Sequence, residues 1–112
     1  MAKRGDILVA RRRMGFGAEG RREHFVVIQG DFLSSLETVI VVPLDDHASF
    51  YDENPLAIAI PKSETSTLRA QVALVHLPSY FSLEKFDAAP TGRLSSRTMA
   101  KVDDALRIVL DL

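Results

Sequence analysis

The sequence predicts a small, mainly β domain closed by a C-terminal helix. Short runs rich in β-branched and aromatic residues recur along most of the chain with little helix between them, and a single apolar stripe at helical spacing appears only at the end. A chain of 112 residues is enough for one core and too short for two, so residues 1–112 are read as one domain. Asp6 to Ala10 forms the first expected strand and Phe25 to Gln29 the second, with an Arg- and Gly-rich segment from Arg11 to Arg22 between them. A rigid β scaffold beside a basic loop is a common way to hold a polyanion. Asp31 is an acceptable N-cap, which predicts one helical turn within Asp31 to Leu36. Thr38 to Leu44 is the third strand. Pro43 cannot donate a ladder hydrogen bond, which predicts that it lies at the strand's end or on an edge. Pro55 to Ile60 and Arg69 to Leu77 supply two more strands around the polar turn Pro61 to Thr67. Five short strands of this kind favour an antiparallel sheet or small barrel over alternating βαβ units. A short helix is expected over Ser82 to Phe86. Ser95 or Ser96 caps the last helix, where Met99, Val102, Leu106, Val109 and Leu110 share one stripe.

Composition narrows the function. Hydrophobic residues make up 46% and charged residues 26%, the balance of an ordinary globular protein. The net charge of -1 gives no general attraction to nucleic acid, so any such attraction comes from a local patch. The patch is Arg11, Arg12, Arg13, Arg21 and Arg22, which bracket the loop glycines. The absence of cysteine excludes disulfides, thiolate metal sites and a cysteine nucleophile. MAKRGDILVA is too polar for a signal peptide and no run of about 18 apolar residues occurs, so the expectation is a cytoplasmic protein without a membrane partner.

Several motifs carry less than their spelling suggests. Gly15 to Gly20 matches G-x-G-x-x-G, but a dinucleotide site needs a helix directly after the glycines and a strand follows here. The remaining readings are a flexible connector and a hairpin loop whose amides approach phosphate. Arg4-Gly5-Asp6 spells an adhesion tripeptide, yet it opens a strand, where Gly5 turns the chain and Asp6 anchors the loop ends. Arg21 and Arg22 stand where a guanidinium can clamp phosphate, or simply line a solvated rim. His24, His47 and His76 lack metal-ligand spacing, so no metal and no cofactor is expected. Asp45 and Asp46 are either a general base or ordinary loop chemistry, and the serine pairs lack a G-x-S-x-G setting.

RGDILVA, FVVIQGDF, VIVVPL, Gly92-Arg93-Leu94 and the closing MAKVDDALRIVLDL resemble, in that order and spacing, the MazF/PemK toxins of bacterial toxin-antitoxin systems. The resemblance covers nearly the whole chain and extends more loosely to the CcdB gyrase poisons of the same superfamily. It implies an SH3-like barrel with a C-terminal helix, a homodimer, a cognate antitoxin as partner, and metal-independent, sequence-specific cleavage of single-stranded mRNA. In that chemistry the ribose 2′-hydroxyl attacks the adjacent phosphorus, which calls for a proton acceptor, a proton donor and a cation.

The site pattern departs from the family. Its arginine precedes the second strand in an Arg-Pro pair, where this chain has Glu23 and His24, and Arg22 stands one position early. A one-residue offset turns a side chain to the other face of a strand, so Arg22 serves only through a bulge or as part of the loop. The family's threonine after the third strand falls on Asp45. Three readings follow. In the first, Arg22 acts by a local shift, with Asp45 or Glu23 as base and His24 or His47 as acid, while Arg11, Arg12, Arg13, Arg21 and a base-stacking Phe16 hold the RNA. In the second, cleavage is lost and the chain only engages its antitoxin. The third is a gyrase poison, which loses its main contact because the chain contains no tryptophan.

Overall fold

The computed structural model describes residues 2–16, 22–46, 54–65 and 70–112. Its strands are β1 (Asp6–Val9), β2 (His24–Val27), β3 (Thr38–Asp45), β4 (Ala57–Ile60), β5 (Gln71–Leu74), β6 (Ser79–Ser82) and β7 (Gly92–Arg93), with helices α1 (Lys62–Thr65) and α2 (Ser96–Leu110). All pairings are antiparallel, and the sheet runs β4-β5-β3-β2-β1-β7 with β6 added on β3. The result is a curled half-barrel rather than a flat sheet.

Alternation along β2 sends residues to two cores. Val26 joins Ile7, Val42, Val75 and the inward stripe of α2, including Met99, Val102 and Leu106. Phe25 and Val27 join Leu8, Val39, Val41 and Phe86 on the opposite face. Phe25 meets Phe86 and Phe81 edge-on at 5.5 and 5.7 Å, the arrangement that ring quadrupoles favour. Both faces of the central strands are therefore covered, which explains why β1 and most of β2 and β3 read as nearly continuous apolar runs.

Several expectations need correction. Pro43 lies inside β3, opposite Phe25. Ile28 donates to the Ile40 carbonyl at 3.0 Å, so by alternation the Phe25–Pro43 pair is a narrow, non-hydrogen-bonded one. The proline nitrogen then faces the other edge, where β6 ends at Val41 and β5 begins at Leu44. No ladder donor is missed there. The helix expected over Ser82 to Phe86 is a strand end followed by the 3-10 turn Leu83–Lys85, because Thr38 to Val41 pair with Ser79 to Ser82. Asp31 does not cap its turn; its Oδ1 accepts the Arg4 amide at 2.6 Å. The turn expected over Pro61 to Thr67 contains α1, and its last two residues lie outside the described ones.

α2 starts as expected. Ser95 accepts the Thr98 amide at 3.2 Å, and Glu64 of α1 accepts the Ser95 amide at 2.7 Å and the Thr98 hydroxyl at 3.0 Å. Asp111 ends the helix in the left-handed conformation at φ 56°. Arg4, from the tripeptide before β1, forms a forked ion pair with Asp103 and donates to the Ile28 carbonyl at 3.1 Å. Asp6 accepts the Lys3 amide at 2.9 Å, the anchoring role its position suggested.

Candidate functional site

The basic loop leaves the end of β1, where Ala10 bridges to Phe86 and Arg11 donates to the Lys85 carbonyl at 2.8 Å. Arg11 also donates through Nε to the Phe86 carbonyl at 2.6 Å, which fixes the root of its side chain against the 3-10 turn. Arg11, Arg12 and Arg13 are exposed and line a cleft of 540 Å³ with Lys85, Met14 and Glu84. Four cations around one acidic group give this cleft a net positive lining.

Arg22 lies at the entry to β2 and reaches over the end of β1. Its guanidinium donates to the Ala10 carbonyl at 3.2 Å and to both carboxylate oxygens of Asp87 at 2.8 Å. The pair holds the Asp87 carboxyl below the usual carboxylate range, with Arg11 adding to the effect. Arg22 therefore belongs to the loop side of the junction, which removes the constraint of strand alternation and places its charge beside Arg11.

Glu23 has a different environment from that of a free base. It is 5% exposed, and its two oxygens accept the backbone amides of Met14 and Phe16. Gly15, between those amides, sits at φ 96°, a conformation that glycine adopts without penalty and that turns both N–H groups inward. Glu23 is the clamp of the loop. Each of its oxygens accepts one loop amide, so the carboxylate expected as a proton acceptor also holds the loop.

His24 points to the other face of β2 and is half-buried. Burial and, to a lesser degree, the Arg22 charge lower its pKa from 6.5, outweighing the opposite pull of the Arg22 carbonyl contact and of Asp46. Its Nδ1 lies 3.1 Å from the Arg22 carbonyl; an N–H at Nδ1 donating to that oxygen leaves Nε2 with a lone pair. Asp45 is buried at the end of β3, 7% exposed, where it pairs with Val72.

Phe16, expected to stack a base, is half-buried. It packs edge-on against Phe25 at 5.6 Å as part of the inner cluster, which fastens the loop to the barrel. Arg21 and His47 lie outside the described residues. No group of three or more histidine, cysteine, aspartate or glutamate side chains with metal-binding geometry occurs among the described residues. Sequence reasoning missed Asp87 and Lys85, which only tertiary pairing with the end of β1 brings to the site.

Residues 3–110 match the family of PemK-like, MazF-like toxins of type II toxin-antitoxin systems. The chain belongs to that family. No curated protein matches it in sequence. Among solved structures, the fold resembles an endoribonuclease in complex with its cognate antitoxin from a Mycobacterial species, with a TM-score of 0.79 at 17% identity, covering 100% of this chain and 97% of the other. It also resembles MazE-MazF from Deinococcus radiodurans, at TM-score 0.76 and 14% identity over 99% and 97% of the two chains. The Mycobacterium tuberculosis toxin MazF-mt6 matches at 0.75 and 11%, over 96% and 97%.

Proposed function

We propose that this MazF-like chain is a toxin endoribonuclease that cleaves single-stranded RNA, with Arg22 and His24 as its catalytic residues. The observation that carries the reading is the juxtaposition, on a family match over residues 3–110, of the Arg22 guanidinium, paired with Asp87 at 2.8 Å, and an imidazole of lowered pKa whose Nδ1 lies 3.1 Å from the backbone carbonyl of that same arginine. Arg11, Arg12 and Lys85 take the RNA backbone in the cleft, and Arg22 exchanges Asp87 for the scissile phosphate as a planar, forked donor. His24 Nε2 accepts the 2′-hydroxyl proton while the 2′-oxygen bonds to phosphorus. The bond from phosphorus to the 5′-oxygen breaks in line, and that oxygen takes a proton from solvent. The products are a 2′,3′-cyclic phosphate and a 5′-hydroxyl. Glu23 keeps the loop in register and performs no proton transfer.

The same reading includes a homodimer and an antitoxin. An apolar face supports it: Ile40 and Tyr80, paired across β3 and β6, are both exposed and continue through Leu33 to Leu110 and Leu112 of the chain's end. Two grooves of 360 and 410 Å³ share Gln29, Leu33 and Ile40 along this face. MazF from Deinococcus radiodurans has been solved together with MazE, and the first mycobacterial relative with its antitoxin.

The test is incubation of purified protein with a defined single-stranded RNA in excess EDTA. Fragments ending in cyclic phosphate, lost in Arg22→Ala, are expected. Intact RNA together with trapped gyrase–DNA cleavage complexes would overturn the assignment in favour of a gyrase poison.

A further inference from the structure

A second cavity, of 230 Å³, shares Arg11 and Glu84 with the basic cleft. Its walls include Leu8, Leu83 and Phe86, and its polar groups are Arg11, Glu84 and Asp87. The volume falls below the roughly 300–1,000 Å³ of sites that enclose a whole drug-sized ligand and suits a single planar base. Leu8 and Phe86 are buried members of the inner core, and Phe86 is fixed by the edge-on Phe25 and Phe81 rings at 5.5 and 6.0 Å. The floor is therefore preformed.

The polar groups select the occupant. Carboxylates accept and do not donate, so a base facing Glu84 and Asp87 must offer N–H groups. Guanine presents two adjacent donors, N1–H and the N2 amino group, which match a carboxylate in fork geometry. Adenine and cytosine set an acceptor nitrogen beside their single amino group, and uracil sets two carbonyls around one N–H. Both acceptor alternatives meet a negative charge. The Arg11 guanidinium at the same rim suits the guanine O6 acceptor.

We propose that this cavity is a guanine-selective pocket that reads one base of the single-stranded RNA beside the scissile phosphate; the assignment rests on the endoribonuclease reading above. Asp87 joins the two functions, since the carboxylate that pairs with Arg22 in the free protein lines the base pocket and is released to the base when Arg22 takes the phosphate.

The experiment uses full-length protein and 2′-fluoro oligouridylates, which lack the attacking hydroxyl, carrying one central guanine, adenine or inosine, with free 5′-GMP as a further arm. Binding is read by fluorescence anisotropy and by methyl NMR shifts of Leu8 and Leu83. The guanine oligonucleotide is expected to bind at least about tenfold more tightly than the adenine one, within the discrimination of a good bidentate pair. Inosine, lacking the N2 amino group, should lose most of that preference, and both Glu84→Gln and the cavity-filling Leu83→Trp should reduce it. Equal affinities with unmoved Leu8 and Leu83 methyls would overturn the pocket while leaving the RNA reading intact. No affinity for any oligonucleotide would overturn both, and 5′-GMP alone moving those methyls would then assign the cavity to a free nucleotide.

Discussion

Burial and the neighbouring Arg22 charge keep the His24 imidazole neutral below its ordinary range, and this sets a pH signature. A base acts when unprotonated, so the acid limb of the kcat/KM profile should lie below pH 6.5 and disappear in His24→Gln, whose rate should fall by about 10²- to 10⁴-fold. The stability consequence has the same direction. His24 binds its proton less readily in the folded chain, so as pH falls below 6.5 the unfolded state takes up more protons and stability declines. Asp87, also lowered, contributes stability above its unfolded value of 3.8 that is lost as pH drops through the folded one. Denaturant midpoints measured from pH 7 to pH 4 should therefore fall, and less steeply in His24→Gln. Arg22→Ala should lower kcat by about 10²- to 10³-fold, as for loss of a preorganised charge at a developing anion. At this scale the sequence was partly legible. Arg22 was legible as a cation where the loop meets β2, whereas the contacts of Glu23 were not, because two backbone amides brought inward by Gly15 leave no mark in residue identity.

Two elements meet at Gly92 and Glu64. A Cβ on Gly92 would collide with the Glu64 backbone carbonyl, so β7 and α1 pack at a distance only glycine permits. Gly92→Ala must shift α1, and with it the Glu64 carboxylate that caps α2. A loss of about 1–3 kcal/mol in urea unfolding is expected, the usual scale of overpacking. Ser95→Ala should cost about 1 kcal/mol, and its effect should be non-additive with Glu64→Ala because both remove the same cap. The strands were legible wherever four or more apolar residues ran together, and α2 was legible from its stripe and cap. β6 was not: Ser79 to Ser82 carries little apolar signal, and its pairing with Thr38 to Val41 is a long-range event. β7 has two residues and no local signature.

Across the whole molecule, charge and apolar surface are segregated. The cations Arg11, Arg12, Arg13 and Lys85 line one cleft, while Ile40, Tyr80, Leu110 and Leu112 form the apolar face. RNA affinity should fall with salt at a slope of about 0.7 per neutralised phosphate, and Arg12→Ala should reduce that slope by about one such increment in filter binding. Light scattering at micromolar concentration should return twice the mass of 12.4 kDa, and Ile40→Asp should halve it. Within the sheet β3 joins the two arms, giving one edge to β2 and splitting the other between β6 and β5. Release of that shared strand would leave β2-β1-β7 and β4-β5 as separate paired units and β6 without its partner. Deuterium should enter Val39, Val41 and Val42 last, and at one common rate, with the faster opening motions confined to the rim.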